Sequence, residues 1–208
     1  MPRLQWDDQS LHTYEVGVDR GVFFPFGLSA RAWPGLVSVN ESRDGGDIES
    51  YYIDGIKYKD ISAFEDFVPT IEAYSYPELL DEYVGFSKYG ELFVGNQRRR
   101  SFGFSYRNFV GSAVGGQKSG YKLHLVYNLT LSPSEKTHSS IGDSVEPILN
   151  SFEGSTVPLF IPQKRPSAHL VVPSSALKIA DLEDVLYGTD TTSGRLPLPE
   201  EVFNILDV

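Results

Sequence analysis
Cysteine is missing from all 208 residues of the chain. Its absence excludes disulfide staples, thiol nucleophiles and thiolate metal sites, so the fold must be held by burial and hydrogen bonding. Basic residues are scarce: 18 Lys and Arg stand against 28 Asp and Glu, for a formal net charge of −10. That balance argues against a surface built to grip nucleic-acid phosphates, which needs clustered cations. The basic run Arg98 to Arg100 opens a strand pattern and reads as a solvated edge or as a donor of ion pairs to a neighbouring subunit. Long apolar runs are also lacking. No segment approaches the ~20 residues needed to cross a bilayer, and the opening MPRLQWDDQS has no secretory apolar stretch, which points to a soluble chain.

What the chain does have is aromatic residues and turn formers. Phe 13, Tyr 12, Gly 19 and Pro 13 favour strands and turns over helices, and 40% hydrophobic residues suffice for one core. The class expected is mainly β, in a single domain covering 1–208. Its centre is the stretch from Arg98 to Lys136. Phe102, Phe104 and Tyr106 recur at every second position, and after a glycine-rich tip Leu123, Leu125, Tyr127, Leu129 and Leu131 do the same. Two such strands joined locally pair antiparallel, giving a ribbon expected to have one apolar face and one wet face carrying Arg107, Lys122, His124, Asn128 and Thr130.

In chain order, 1–13 is expected to be an extended arm, and a first strand containing Tyr14, Val16 and Val18 ends near Pro25. Leu36, Val37 and Val39 begin a strand that runs into the polar, glycine-bearing segment Asn40-Glu41-Ser42-Arg43-Asp44-Gly45-Gly46-Asp47, read as a projecting loop. Tyr51 to Tyr58 and Phe67 to Tyr76 read as two further strands, the second carrying Glu72, and a short helical piece follows Pro77. Val145 to Glu153 and Ala168 to Val172 are strand patterns. The clearest helix spans about 175–187, capped by Ser174 or Ser175 and closed by Gly188, and completes a body at 14–188. The tail 189–208 is expected to be a second arm, with at most a turn of helix from Glu200 to Leu206.

Chemical motifs are weak. Gly111 to Ser119 nearly spells a phosphate-binding loop, but Gln117 separates Gly116 from Lys118 and the flanks are strand and strand where strand and helix are needed. The histidines His12, His124, His138 and His169 show no spacing that would present two nitrogens to a metal from one helix. Ser134 and Lys136 lack the spacing of an activated nucleophile, and the carboxylates give no sign of facing one another across a substrate. No catalytic, cofactor or metal residue is assigned.

A resemblance emerges from several stretches together. Gly21-Val22-Phe23-Phe24-Pro25, Trp33-Pro34-Gly35-Leu36, Thr70-Ile71-Glu72-Ala73-Tyr74-Ser75-Tyr76-Pro77, Gly120 to Tyr127, Ser132 to Lys136 and the ending Leu186-Tyr187-Gly188-Thr189-Asp190 with Arg195 to Val202 follow one another in order. In this the chain resembles the major tail proteins of long, flexible-tailed bacteriophages, in particular those of phages that infect actinobacteria. Ser112 to Ser119 and Asn150 to Ser167 depart from that pattern.

The resemblance implies a tail-tube β-sandwich or partial barrel with long β-hairpins, one flanking helix and two arms. It implies a structural virion protein without catalysis or cofactor, assembled in the host cytoplasm as hexameric rings that stack into a hollow tube. The partners expected are further copies of itself, the tape-measure, tail terminator and distal tail proteins, and genomic double-stranded DNA that passes through without tight binding; no membrane is involved. On this reading Glu72, Arg107, Lys122, His124, Asn128 and Thr130 face the lumen, the basic ones paired with neighbouring acids. Ring stacking falls to Asn40, Glu41, Ser42, Arg43, Asp44 and Asp47, with the arms. A monomeric carbohydrate-binding β-sandwich is the competing expectation, since the surplus of Tyr and Trp would suit an aromatic platform.

Overall fold
The computed structural model describes residues 12–134, 136–138, 140, 147–162 and 164–207. In order, its elements are β1 (Thr13–Phe24), β2 (Arg31–Trp33), β3 (Leu36–Asn40), β4 (Arg43–Gly45), β5 (Ile48–Ile53), β6 (Ile56–Ser62), β7 (Glu65–Phe67), β8 (Thr70–Ala73), α1 (Leu80–Tyr83), β9 (Ser87–Tyr89), β10 (Leu92–Val94), β11 (Phe102–Ser112), β12 (Gly116–Pro133), β13 (Asn150–Thr156), β14 (His169–Pro173), α2 (Ile179–Tyr187) and α3 (Pro199–Leu206). The protein is mainly β, and its strand pairings are antiparallel. The main sheet has eight strands in the order β2-β1-β11-β12-β13-β8-β3, with β14 also paired to β12; it does not close into a barrel.

The long central hairpin is present, but its two sides are not one apolar and one wet. Phe104 lies opposite Val126 and Tyr106 opposite His124, and directly opposed residues share a face. Phe102, Phe104 and Tyr106 therefore belong to one core with Val126, Leu129 and Leu131, whereas Leu123, Leu125 and Tyr127 belong to another. The slip occurs at Asn128, whose φ of 48° is left-handed and which sits where the β11–β12 register shifts. An extra residue there moves the following leucines to the opposite face, so the unbroken row from Leu123 to Leu131 is split between two cores.

The same point forks the sheet. Lys122 to Val126 of β12 pair with β14, while Leu129 to Pro133 pair with β13, so one edge of a single strand carries two neighbours. The first core is largely aromatic, with Phe23 edge-on to Phe102 at 4.7 Å and Trp33 edge-on to Phe104 at 5.3 Å. The second core lies on the other face, where α2 and α3 bring Leu182, Leu186, Val202 and Leu206 onto Val22, Phe24, Leu123 and Leu125. Arg107 and His124, expected on a wet face, are buried, and so is Ser105 on β11.

α2 is shorter than the span expected from sequence. Ser174 does not cap it; its hydroxyl accepts the Tyr121 N–H at 3.1 Å, tying the end of β14 to β12. Lys178, at φ 56°, precedes the first helical residue, and Gly188, at φ 84°, ends the helix as expected. The helical turn expected from Glu200 to Leu206 is present as α3, and its docking on the body replaces the arm expected at 189–208. α3 begins with Pro199, buries Val202 and Leu206, and is anchored by the Tyr127 hydroxyl donating to the Pro197 carbonyl at 2.9 Å. The expected N-terminal arm at 1–13 lies, apart from its last two residues, outside the described residues, as do Val145 and Glu146 of the expected strand; Thr13 already belongs to β1.

Two hairpins extend from this body. Tyr51 to Tyr58, expected as one strand, is the end of a hairpin: Asp54 and Gly55 adopt φ of 50° and 78°, the double left-handed turn that an Asp-Gly pair favours, and β5 folds back on β6. Beneath them β4 pairs with β7, so the whole stretch from Arg43 to Phe67 is one ribbon. Phe67 to Tyr76 is likewise divided, β7 ending at Phe67 and β8 starting at Thr70 across Pro69. β9 and β10 form the second, shorter hairpin.

Candidate functional site
Three surfaces carry chemistry. The first is the part of the main sheet that the helices leave bare. On β13, Asn150, Phe152, Gly154 and Thr156 are buried while Ser151, Glu153 and Ser155 point away from the core. Ser155 lies opposite Thr130, Glu153 opposite both Ser132 and Thr70, and Ser151 opposite Glu72, so these side chains share one face. β3 extends it with Ser38 opposite Glu72 and Asn40 opposite Thr70, and the Ser38 hydroxyl donates to Glu72 Oε2 at 2.7 Å. The side chains so aligned are short hydroxyls, one amide and two carboxylates, none of them basic. Such a face is hydrated and offers no cationic partner to a phosphate.

The second surface is the Arg43 to Phe67 ribbon. Ile48, Tyr51, Tyr52, Ile53, Ile56, Tyr58 and Ile61 are 47% to 73% exposed, and Phe64 near the root is 71% exposed. A two-stranded ribbon has no layer beneath it on which to bury such residues, and in water an isolated hairpin is marginal. An apolar surface of this kind on an extended edge is suited to contact with another molecule. The ribbon's root is fixed to itself by Arg43 pairing with Glu65 at 3.1 Å and by the Val68 N–H donating to the Ser42 carbonyl at 2.9 Å, and to the body by the Thr156 hydroxyl donating to the Phe67 carbonyl at 2.7 Å.

The third lies where the root meets the sheet. Glu41, His124 and His169, from the β3–β4 link, β12 and β14, bring one ligand atom each within 4.8 Å of one another. His124 Nδ1 is 3.0 Å from His169 Nε2 and 3.2 Å from Glu41 Oε1. His124 Nε2 is 3.0 Å from Asn108 Oδ1, and the Tyr106 hydroxyl donates to Glu41 Oε1 at 2.7 Å. The rings are held flat, His124 against Tyr106 at 4.5 Å and His169 against Phe67 at 4.2 Å. Burial pushes the basicity of both imidazoles down, His169 to about 4, against the opposing pull of Glu41.

The residues expected at the lumen are dispersed. Glu72 and Thr130 lie on the bare polar face, and Asn128 sits at the bulge beside it with its amide donating to the Val157 carbonyl at 3.1 Å. Lys122 is off that face, paired with Glu15. Arg107 and His124 are enclosed by the subunit itself, a correction to the wet row expected of the hairpin. Arg107 clamps Asp19 through Nε at 3.0 Å and Nη2 at 2.9 Å and lies over the Tyr121 ring at 4.5 Å.

The residues expected to form a stacking loop are instead built into regular structure at the ribbon root. Asn40 ends β3, Glu41 turns inward to the histidines, Arg43 and Asp44 lie in β4, and the Asp47 carbonyl accepts the Ala63 N–H at 3.1 Å. Sequence reasoning passed over the pairing of His124 with His169, which are 45 positions apart. It also passed over the Asp54-Gly55 turn, whose signal was legible. Models of known protein families and curated proteins were searched with the chain, and neither search returned a match.

Proposed function
We propose that the protein is a structural subunit that polymerises with copies of itself into a hollow tube, as the tail-tube subunit of a long non-contractile phage tail. The observation that carries this reading is the projecting ribbon, whose exposed isoleucines and tyrosines find no cover in their own subunit. A neighbouring copy supplies that cover, in a head-to-tail contact that closes into rings and repeats along an axis. The open main sheet supports the same reading, because the free edges of β2 and β3 are available for completion by neighbours, giving the tail-tube form of sandwich.

The bare polar face of β12, β13, β8 and β3 is then the bore. Each phosphate met by a basic side chain strengthens binding of duplex DNA, which carries one charge per ~1.7 Å. Glu72 and Glu153 among hydroxyls give instead a wall along which a polyanion slides. The reaction performed is passage, with no covalent step.

Negative-stain electron microscopy of the purified protein tests this directly. Tubes or rings are expected from the intact chain. A variant in which Ile48–Ser62 is replaced by a short Asp-Gly turn is expected to fold with an unchanged circular-dichroism spectrum and to remain monomeric. Normal tubes from that variant, or an intact chain that stays solitary at high concentration, would refute the proposal. The conduit has its own test: particles carrying Thr70→Lys, Glu72→Lys and Glu153→Lys together are expected to eject DNA more slowly at low salt, and unchanged kinetics across a salt series would remove the electrostatic role.

A further inference from the structure
The cluster at the ribbon root gathers two imidazoles and a carboxylate around His124 Nδ1. Asn108 is oriented by its amide nitrogen, which donates to Glu15, and Glu15 is itself paired with Lys122. Asn108 therefore presents its carbonyl oxygen to His124 Nε2, which must carry the ring's proton to donate at 3.0 Å. That leaves the lone pair of the buried His124 Nδ1 facing Oε1 of the half-exposed Glu41 across 3.2 Å. A proton on His169 Nε2 can satisfy His124 Nδ1, and the Tyr106 hydroxyl donates to Glu41 Oε1, but neither neutralises the carboxylate's charge. A cation between the three atoms satisfies all of them.

We propose that Glu41, His124 and His169 bind a divalent first-row transition metal ion, with Zn2+ as the best-fitting member. Two imidazole nitrogens and a carboxylate are a donor set for such ions, whereas Ca2+ and Mg2+ take oxygen ligands. Zinc–nitrogen bonds of about 2.0–2.1 Å place tetrahedral ligand atoms ~3.3 Å apart. The separations of 3.0 Å and 3.2 Å around His124 Nδ1 match that spacing before any ion arrives, while His169 and Glu41, 4.0 Å apart between Nδ1 and Oε2, must draw closer on binding. Asn108 on the far nitrogen of His124, and Tyr106 on Glu41, are the outer partners that fix a ligand's tautomer and aim.

The consequence is mechanical. Glu41 lies in the link from β3 to β4, and His169 of β14 stacks on Phe67 of β7, so both roots of the ribbon meet the ion or its ligands. A bound ion clamps the ribbon's base to β12 and β14. This holds for the single subunit and does not depend on polymerisation.

The test uses the full chain, stripped with EDTA and titrated with Zn2+ by calorimetry and with Co2+ by visible spectroscopy. One ion per chain, nitrogen-ligated Co2+ bands and a Zn2+-dependent rise in melting temperature are expected, with Mg2+ producing none of these. Glu41→Gln and His169→Gln are each expected to weaken binding by about tenfold or more, and Asn108→Leu by roughly 10–100-fold. His138→Gln is expected to bind as the parent does. The half-exposed Glu41 keeps the test decisive should the histidine variant misfold. Absence of one-to-one binding to the parent, or binding that Glu41→Gln leaves intact, overturns the assignment.

Discussion
At the scale of single residues, buried charge has a large energetic consequence. Arg107 is 10% exposed at its side chain and is held by a bidentate contact to Asp19, with Glu183 at 3.5 Å as a weaker second acid. Breaking such a pair strands a cation away from water, at a cost of ~3–5 kcal/mol where burial is complete. Asp19 is itself 33% exposed and Glu183 remains, so Asp19→Ala is expected at about 2 kcal/mol, read as a lower urea midpoint with unchanged slope. Replacing both partners, in Asp19→Ala with Arg107→Met, is expected to recover most of the loss, because no charge is then left unpaired. A double variant weaker than the single one would show that the pair stabilises beyond its desolvation.

Among elements, the C-terminal helix separates a docked segment from a loose arm. Leu206 is 7% exposed in the second core, and Leu206→Ala is expected to destabilise the protein by ~2–3 kcal/mol, measurable by chemical denaturation. An arm would tolerate the change at no cost. The pairing of Arg195 with Glu201 pins the first turn of α3 and holds the Glu201 carboxyl below its ordinary value. A carboxylate with a depressed folded value contributes stability that is present above the ordinary carboxylate range and lost as pH falls through the folded value. Glu201→Gln is therefore expected to lower the melting temperature slightly at neutral pH and to match the parent in acid, which flattens the acid limb of the profile. An identical acid limb in the variant would assign that sensitivity to other groups.

For the whole molecule, charge and exposed apolar surface pull in opposite directions. Subunits of net charge −10 repel one another, while the ribbon's apolar side chains favour contact. Repulsion between exposed charges fades once the Debye length falls to ~10 Å at 0.1 M salt, whereas apolar burial is not screened. Polymerisation, followed by sedimentation, is expected to strengthen as salt rises from ~10 mM to ~150 mM. Assembly that weakens with salt would mean that ion pairs, with Arg98 to Arg100 as the obvious donors, hold the subunits together.

The sequence by itself determined the class, the central hairpin, the end of the first strand at Pro25 and the stop of the helix at Gly188. Each is a local matter of period, ring-locked φ or glycine conformation, and neighbouring residues suffice to decide it. Which face of a strand is wet was not local. Alternation at β11 and β12 is the same whether one face or both are covered, and only the docking of α2 and α3, together with the one-residue slip at Asn128, buried Arg107 and divided the leucines between two cores. The meeting of Glu41, His124 and His169 was out of reach for the same reason. It depends on β14 pairing with β12 across 45 positions, and spacing along the chain carries no record of a long-range register.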